Sequence, residues 1–142
     1  MSNVIAIGCD HAGFDLKIKI LQHFKDLDFI DCGCDNAKTS VDYPDFANKV
    51  AQKINNNEAN LGILICGSGV GISIAANRHK NIRAALCHSQ KIAKLSRQHN
   101  DANILCLGAR IVGDKNAVGI VKAFLKTKFA GGRHLKRVEK LG

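Results

Sequence analysis

Three glycines at alternate positions follow a cysteine in the segment ILICGSGVGISIAAN, residues 63–77. Gly67, Gly69 and Gly71 stand between an apolar run and a helix-like segment, where their N–H groups would form a nest suited to an anion or a developing oxyanion. Cys66 ends the apolar run, and a helix N-terminus at that point favours its thiolate. Such a thiolate could act as a general base or as a nucleophile, and the residues alone leave both roles open.

The glycine segment also allows a purely structural interpretation. Alternate glycines would serve a tight turn and let the following helix pack closely on a sheet. No lysine follows Gly71, so the segment is not a P-loop, and its third glycine comes one residue too early for a dinucleotide fingerprint.

Other polar residues that could do chemistry occur in two places. Asp10 and His11, in CDHAGF, follow the first apolar run and would share the carboxyl edge of a parallel sheet with Cys66. Arg133 and Arg137 are four residues apart, so they would be neighbours on a helical face. They suit the bidentate binding of a phosphate dianion, although such a pair could equally be only solvated.

The position of His99 is geometrically informative. It follows a helical segment and precedes an apolar strand, which places it near the amino edge of the sheet, away from Cys66. If both residues act in one site, one of them must come from a second subunit. The sequence therefore predicts a symmetric dimer with composite sites.

Short apolar runs alternate with helical segments along the whole chain, at residues 4–9, 29–34, 61–66, 82–87 and 103–108. This alternation predicts a five-stranded parallel sheet with right-handed crossovers and helices on both faces, in a single domain spanning 1–142. The segment LKIKI alternates like a strand, but the βαβ rhythm favours a helix there. The lone Pro44 fits a first helical turn. A further helix is predicted from the apolar stripe of Ala117, Val118, Val121, Phe124 and Leu125.

Composition limits the classes of function. The 142 residues carry a net charge of +9, but the basic residues are scattered and there is no Trp and one Tyr, so a small anion is favoured over nucleic acid. Neither a membrane-length apolar run nor a leader pattern is visible, which predicts a cytoplasmic protein. The spacing of the six cysteines disfavours a zinc site, and without export disulfides are disfavoured too.

Five segments together carry a resemblance to a known family. GCDHAGF, DYPDFA, ILICGSGVGISIAANR, LSRQHNDANILCLGAR and GGRHLKRV occur in the same order as in the ribose-5-phosphate isomerase B family, which also includes galactose-6-phosphate and allose-6-phosphate isomerases. The resemblance implies a Rossmann-like three-layer αβα sandwich. It also implies a dimer, or a tetramer of dimers, that interconverts an aldose and a ketose phosphate through an enediolate without metal or cofactor.

The resemblance also assigns roles to individual residues. Cys66 would be the general base, His99 of the partner subunit would open the sugar ring, and Asp10 would assist. Ser68 stands where the family often has Thr, so its hydroxyl could still relay a proton. Asn100 and the amides of Gly67, Gly69 and Gly71 would stabilise the enediolate, while Tyr43 would line the sugar pocket. The phosphate would be held by His11, Arg133 and Arg137, together with Arg110 of the partner subunit.

These assignments predict a self-sufficient homo-oligomeric isomerase of ribose 5-phosphate in the pentose phosphate pathway. A 6-phosphate of allose or galactose is the alternative substrate. A phosphosugar- or nucleotide-binding module without catalysis is the alternative of a different class, and a nucleic-acid binder is the most remote.

Overall fold

In the computed structural model, which describes residues 3–142, five parallel strands form one sheet in the order β2-β1-β3-β5-β4. The three central strands are almost wholly buried, as expected for strands covered on both faces. The Rossmann-like α/β prediction is confirmed. The strands are β1 (Val4–Cys9), β2 (Asp28–Asp31), β3 (Leu61–Cys66), β4 (Ala84–Leu86) and β5 (Ile104–Gly108).

Helices cover the two faces of the sheet and enclose two apolar clusters. One cluster draws on α1, α4 and α5, and the other on α2 and α3. No helix among residues 3–142 has the length and hydrophobicity needed to cross a bilayer. The helices are α1 (Phe14–His23), α2 (Tyr43–Asn55), α3 (Val70–Asn77), α4 (Gln90–Asn100), α5 (Asp114–Lys126) and α6 (Leu135–Leu141), with 3-10 turns at His11–Gly13 and Gly132–His134.

The ambiguous LKIKI segment lies within α1, as predicted. Its strand-like alternation arises because Lys17 is buried although it is charged. The Lys17 ammonium donates to the Asp31 carboxylate and to the Cys34 carbonyl, each at 2.8 Å. These two bonds replace the water that the charge loses, so a lysine occupies a core position of the helix.

The predicted boundaries agree with the structure for β3 and differ for two edge strands. β2 ends at Asp31 rather than at Cys34: the regular ladder stops before Gly33, which has a φ of 97°, although backbone bonds still join Cys9 to Gly33 and Cys34. β4 covers only Ala84–Leu86 of the predicted 82–87. Pro44 lies in the first turn of α2, as predicted.

Candidate active site

Cys66 lies at the carboxyl end of β3, directly before the loop that starts α3. The residue is 4% exposed, and its Sγ accepts a hydrogen bond from the Gly69 N–H at 3.2 Å. α3 begins at Val70, so its N-terminus also lies next to this sulfur. The structure thus places the Cys66 sulfur beside the N–H groups of the glycine loop.

The glycine loop is shaped by its contact with the end of β5. Gly69 has a φ of 81°, a conformation that favours glycine. The amides of Ala109 and Arg110 donate to the carbonyls of Cys66 and Gly67, at 2.9 and 3.0 Å. The loop is therefore fixed on its strand side, while Ser68 is exposed and accepts the Val70 N–H through its hydroxyl oxygen at 3.2 Å.

Asp10 and His11 follow β1, the neighbour of β3, at the point where helices leave for opposite faces of the sheet. The Asp10 amide donates to the Ile65 carbonyl at 3.2 Å, and Asp10 Oδ1 caps the 3-10 turn by accepting two N–H groups. The Val41 N–H donates to His11 Nδ1 at 3.2 Å. Nδ1 is thus an acceptor, so the proton of a neutral His11 lies on Nε2, which is left to donate to a ligand.

Tyr43 and Arg110 flank the glycine loop. A Cβ atom built on Gly71 would lie 2.6 Å from Tyr43 Cζ, and one on Gly67 would lie 3.1 Å from Arg110 Nη1. Both side chains therefore lie against the loop, and both residues are exposed. We call this group the cysteine half-site: Asp10, His11, Tyr43, Cys66–Gly71 and Arg110.

A second polar group lies where α4 ends and α6 begins. A cavity of about 430 Å³ is lined by His99, Asn100, Arg133, His134 and Arg137, together with two apolar residues of α6. Arg137 Nη1 donates to the Arg133 carbonyl at 3.2 Å, which holds the two arginines together. No acidic residue lines this cavity, so its positive charge suits an anion. We call this group the arginine half-site.

The two half-sites belong to opposite edges of the sheet. Cys66 is in register with Gly108 at the carboxyl end of β5, whereas α4 returns to Ile104 at its amino end. Four strand residues at about 3.3 Å each separate these edges by ~13 Å along β5. One chain therefore does not bring His99 to Cys66, as the sequence predicts.

The structure places the phosphate-binding candidates in two separate groups. The sequence interpretation took Arg110 from the partner and grouped Arg133 and Arg137 with His11. The structure places Arg110 beside the glycine loop of its own chain, because the turn after β5 is bonded to that loop. Arg133 and Arg137 accompany His99 instead.

His134 was missed by the sequence interpretation, although the basic segment GGRHLKRV contains it. Its ring stacks on that of His99, with centroids 4.4 Å apart and planes 16° apart. Partial desolvation, followed by the positive charge of His99, Arg133 and Arg137, lowers the pKa of His134 from its ordinary value of 6.5.

This lowered pKa predicts pH-dependent anion binding. His134 is neutral at pH 7 and gains a proton only as the pH falls further, while a bound dianion favours the protonated form. Sulfate remains a dianion over this range, so its binding should tighten as the pH falls, by roughly three- to tenfold for one added charge-assisted contact. Isothermal titration with sulfate at several pH values checks this.

His134→Gln should flatten that pH dependence. His79→Gln is the matched control, because His79 bonds to Asn48 and lies outside both half-sites. An unchanged pH dependence in His134→Gln would contradict the assignment.

Four of the other five cysteines have a raised pKa. Burial raises the pKa of Cys9 to about 12 and that of Cys87 to about 11, and it raises the pKa of Cys32 and, well above the ordinary range, of Cys106. All six cysteines are free thiols, and five are buried. Among residues 3–142, no three His, Cys, Asp or Glu side chains are grouped as metal ligands.

Comparisons with known proteins agree with this architecture. The sequence profile described as Ribose/Galactose Isomerase matches residues 5–141. Ribose-5-phosphate isomerase B of Escherichia coli is 49% identical over 137 residues, covering 95% of this chain and 91% of that protein. The crystal structure of a ribose 5-phosphate isomerase from Thermotoga maritima has 50% identity and a TM-score of 0.96, covering 99% of this chain and 98% of that one. The Mycoplasma genitalium ribose-5-phosphate isomerase B with bound ribulose-5-phosphate has 47% identity and a TM-score of 0.93, covering 99% and 95%.

Proposed function

The chain belongs to the ribose/galactose isomerase family and is an aldose–ketose sugar-phosphate isomerase, and on that premise we propose that it interconverts ribose 5-phosphate and ribulose 5-phosphate through an enediolate. The observation that carries the proposal is the hydrogen bond from the Gly69 N–H to Cys66 Sγ at the start of α3. Aldose–ketose isomerisation needs a base beside oxyanion donors, and in this loop Cys66 would be that base beside backbone N–H groups.

In the proposed reaction, the Cys66 thiolate takes the proton from C2 of the open-chain aldose. The electron pair of the C2–H bond forms the C1–C2 double bond of the enediolate, and the C1 carbonyl oxygen becomes negatively charged. N–H groups in the first turn of α3 lack helical acceptors and would stabilise that charge. Cys66 then returns the proton to C1. The proton on the C2 oxygen passes to the C1 oxygen, so that the C2 oxygen becomes the ketose carbonyl. Ser68 and Asn100 would assist this second transfer.

The substrate phosphate would be held by the arginine half-site of the partner subunit, together with Arg110 and His11 of the cysteine half-site. Arg133, His134 and Arg137 offer donors without a neutralising carboxylate in their cavity. His99 of the same partner subunit would open the furanose ring, with Asp10 placed to assist.

Apolar side chains beside both half-sites support a dimer. Val70 and Ile74 are 46% and 56% exposed on α3, directly after the glycine loop. Leu135 and Leu141 are 50% and 64% exposed on α6, beside the arginines. Burying these faces against each other would stabilise a symmetric pair and bring each cysteine half-site to an arginine half-site.

The test of the proposed function is steady-state turnover of ribose 5-phosphate by EDTA-treated protein, followed as ribulose 5-phosphate formed. Rapid turnover is expected. Turnover only of allose or galactose 6-phosphate would move the assignment within the family, and binding without turnover of any of them would indicate a binding module.

Metal independence, the cytoplasmic location and the pathway stay predictions.

Subunit mixing tests the shared site. Cys66→Ala and His99→Ala dimers should each be inactive, yet a mixed dimer contains one site with both residues intact. Random exchange makes half of the dimers mixed, so the mixture should regain about a quarter of wild-type activity. No recovery, despite exchange verified by native mass spectrometry, would contradict the shared site.

A further inference from the structure

The chain directly after His99 and Asn100 adopts an unusual conformation. Asp101 caps α4 with φ and ψ of 46° and 44°, in the left-handed region that, among residues with a Cβ, Asp and Asn visit most readily. Arg97 Nη1 donates to Asp101 Oδ1 at 2.9 Å. Arg83 donates to the Asp101 carbonyl at 2.8 Å and to Asp101 Oδ2 at 3.4 Å. Two guanidinium groups therefore hold the end of α4 in a fixed position.

Arg97 also connects this helix end to a distant part of the chain. Its Nη1 donates to the Ala102 carbonyl at 2.6 Å, and its Nε donates to the Thr127 carbonyl, just after α5, at 3.1 Å. The side chain is only 12% exposed and lies over the Phe124 ring, 5.7 Å from its centroid. We call these contacts of Arg97 with Asp101, Ala102 and Thr127 the Arg97 brace.

The segment that Arg97 holds leads directly to the arginine half-site. It contains a second link to α4, because the Ala130 N–H donates to the Gln98 carbonyl at 3.0 Å. The chain then turns at Gly131 and Gly132, both with positive φ, and continues through Arg133. The contacts before these glycines fix where the turn begins, and the stacking of His134 on His99 fixes the chain beyond it.

We propose that Arg97 is a positioning residue that fixes the distance between His99 and the phosphate-binding pair Arg133 and Arg137. The proposal rests on the proposed function, in which these residues contact opposite ends of one sugar phosphate. The number of carbons between the reacting end and the phosphate is then matched to that distance. A displacement of about 1 Å between two such groups costs up to about a hundredfold in rate.

The test uses mixed dimers purified through two different affinity tags. One chain carries His99→Ala and supplies Cys66, while the other carries Cys66→Ala and supplies the arginine half-site. In the first arrangement, Arg97→Met is added to the chain that carries Cys66→Ala, whose brace serves the working site. In the second arrangement, it is added to the chain that carries His99→Ala, whose brace serves only the site without Cys66. The two dimers carry the same substitutions in total, so any loss of fold stability is matched.

We expect kcat for ribose 5-phosphate to fall about tenfold or more in the first arrangement and to change less than about twofold in the second. Arg97→Lys in the first arrangement should be intermediate, because an ammonium keeps the charge but lacks the fork that reaches several acceptors. Equal losses in both arrangements would overturn the brace and indicate a merely structural role, as would no loss in the first. An inactive mixed dimer without any Arg97 substitution would instead overturn the shared site, and the brace with it.

Discussion

Replacing Cys66 by alanine will abolish isomerisation, with kcat for ribose 5-phosphate falling about a thousandfold or more, while the sugar phosphate still binds. In the proposed reaction this thiol is the acid–base group, and the Gly69 N–H is directed at its sulfur. Removing it leaves the N–H donors and the phosphate-binding residues in place. Loss of C2-proton exchange with solvent, followed by NMR in deuterium oxide, reports directly on the missing base.

Two further variants sharpen this experiment. Cys66→Ser keeps the shape but offers a hydroxyl that is a far weaker acid, so it should be nearly as inactive as Cys66→Ala. Cys87→Ala is the matched control, because Cys87 is buried after β4 and lies outside both half-sites. Wild-type turnover and exchange in Cys66→Ala would remove the thiol from the mechanism.

Gly69→Ala should damage both folding and turnover. A Cβ at this position would lie 2.5 Å from Leu86 Cδ1, 2.8 Å from the Leu107 carbonyl carbon and 3.0 Å from the Gly108 nitrogen. Two of these atoms are backbone of β5 and cannot move aside, and the φ of 81° adds strain for any residue with a Cβ. We expect a loss of about 3 kcal/mol or more in the free energy of unfolding, measured in urea.

Turnover of the folded Gly69→Ala protein should fall as well, because displacing this residue moves the N–H that is directed at Cys66. Gly113→Ala is the matched control: its φ is negative and no atom lies within 4 Å of the added Cβ. That variant should stay within about 0.5 kcal/mol of wild type. Equal stability of the two variants would show that the loop adjusts without strain.

The sequence predicts a strand or helix best where consecutive apolar residues are all buried. β3 matches its prediction because six consecutive buried residues leave only one interpretation. β2 does not, since its end depends on the backbone angle at Gly33 rather than on hydrophobicity. In α1, Lys17 occupies a buried position that hydrophobic periodicity assigns to apolar residues. Its partners, Asp31 and the Cys34 carbonyl, are 14 and 17 residues away in the chain, beyond any local pattern.

In the candidate site, too, the location of some residues is predictable from the sequence and that of others is not. Asp10, His11 and Cys66 are predictable because parallel strands place their carboxyl ends at one edge. The location of Arg110 is not, because it depends on bonds between the turn after β5 and the glycine loop. The stacking of His134 on His99 likewise requires α6 to pack at the end of α4, which no spacing in the sequence indicates.

The hydrogen bond from the Gly69 N–H to Cys66 has a practical consequence for measuring how much of a preparation is active. Burial raises the pKa of Cys9, Cys32, Cys87 and Cys106, whereas Cys66 accepts the Gly69 N–H at the start of α3. A small alkylating reagent such as iodoacetamide should therefore react first at Cys66, with inactivation proportional to label incorporated, as mass spectrometry of the peptides would report. Protection by ribose 5-phosphate would make that label an active-site titrant, giving the fraction of competent protein in any preparation.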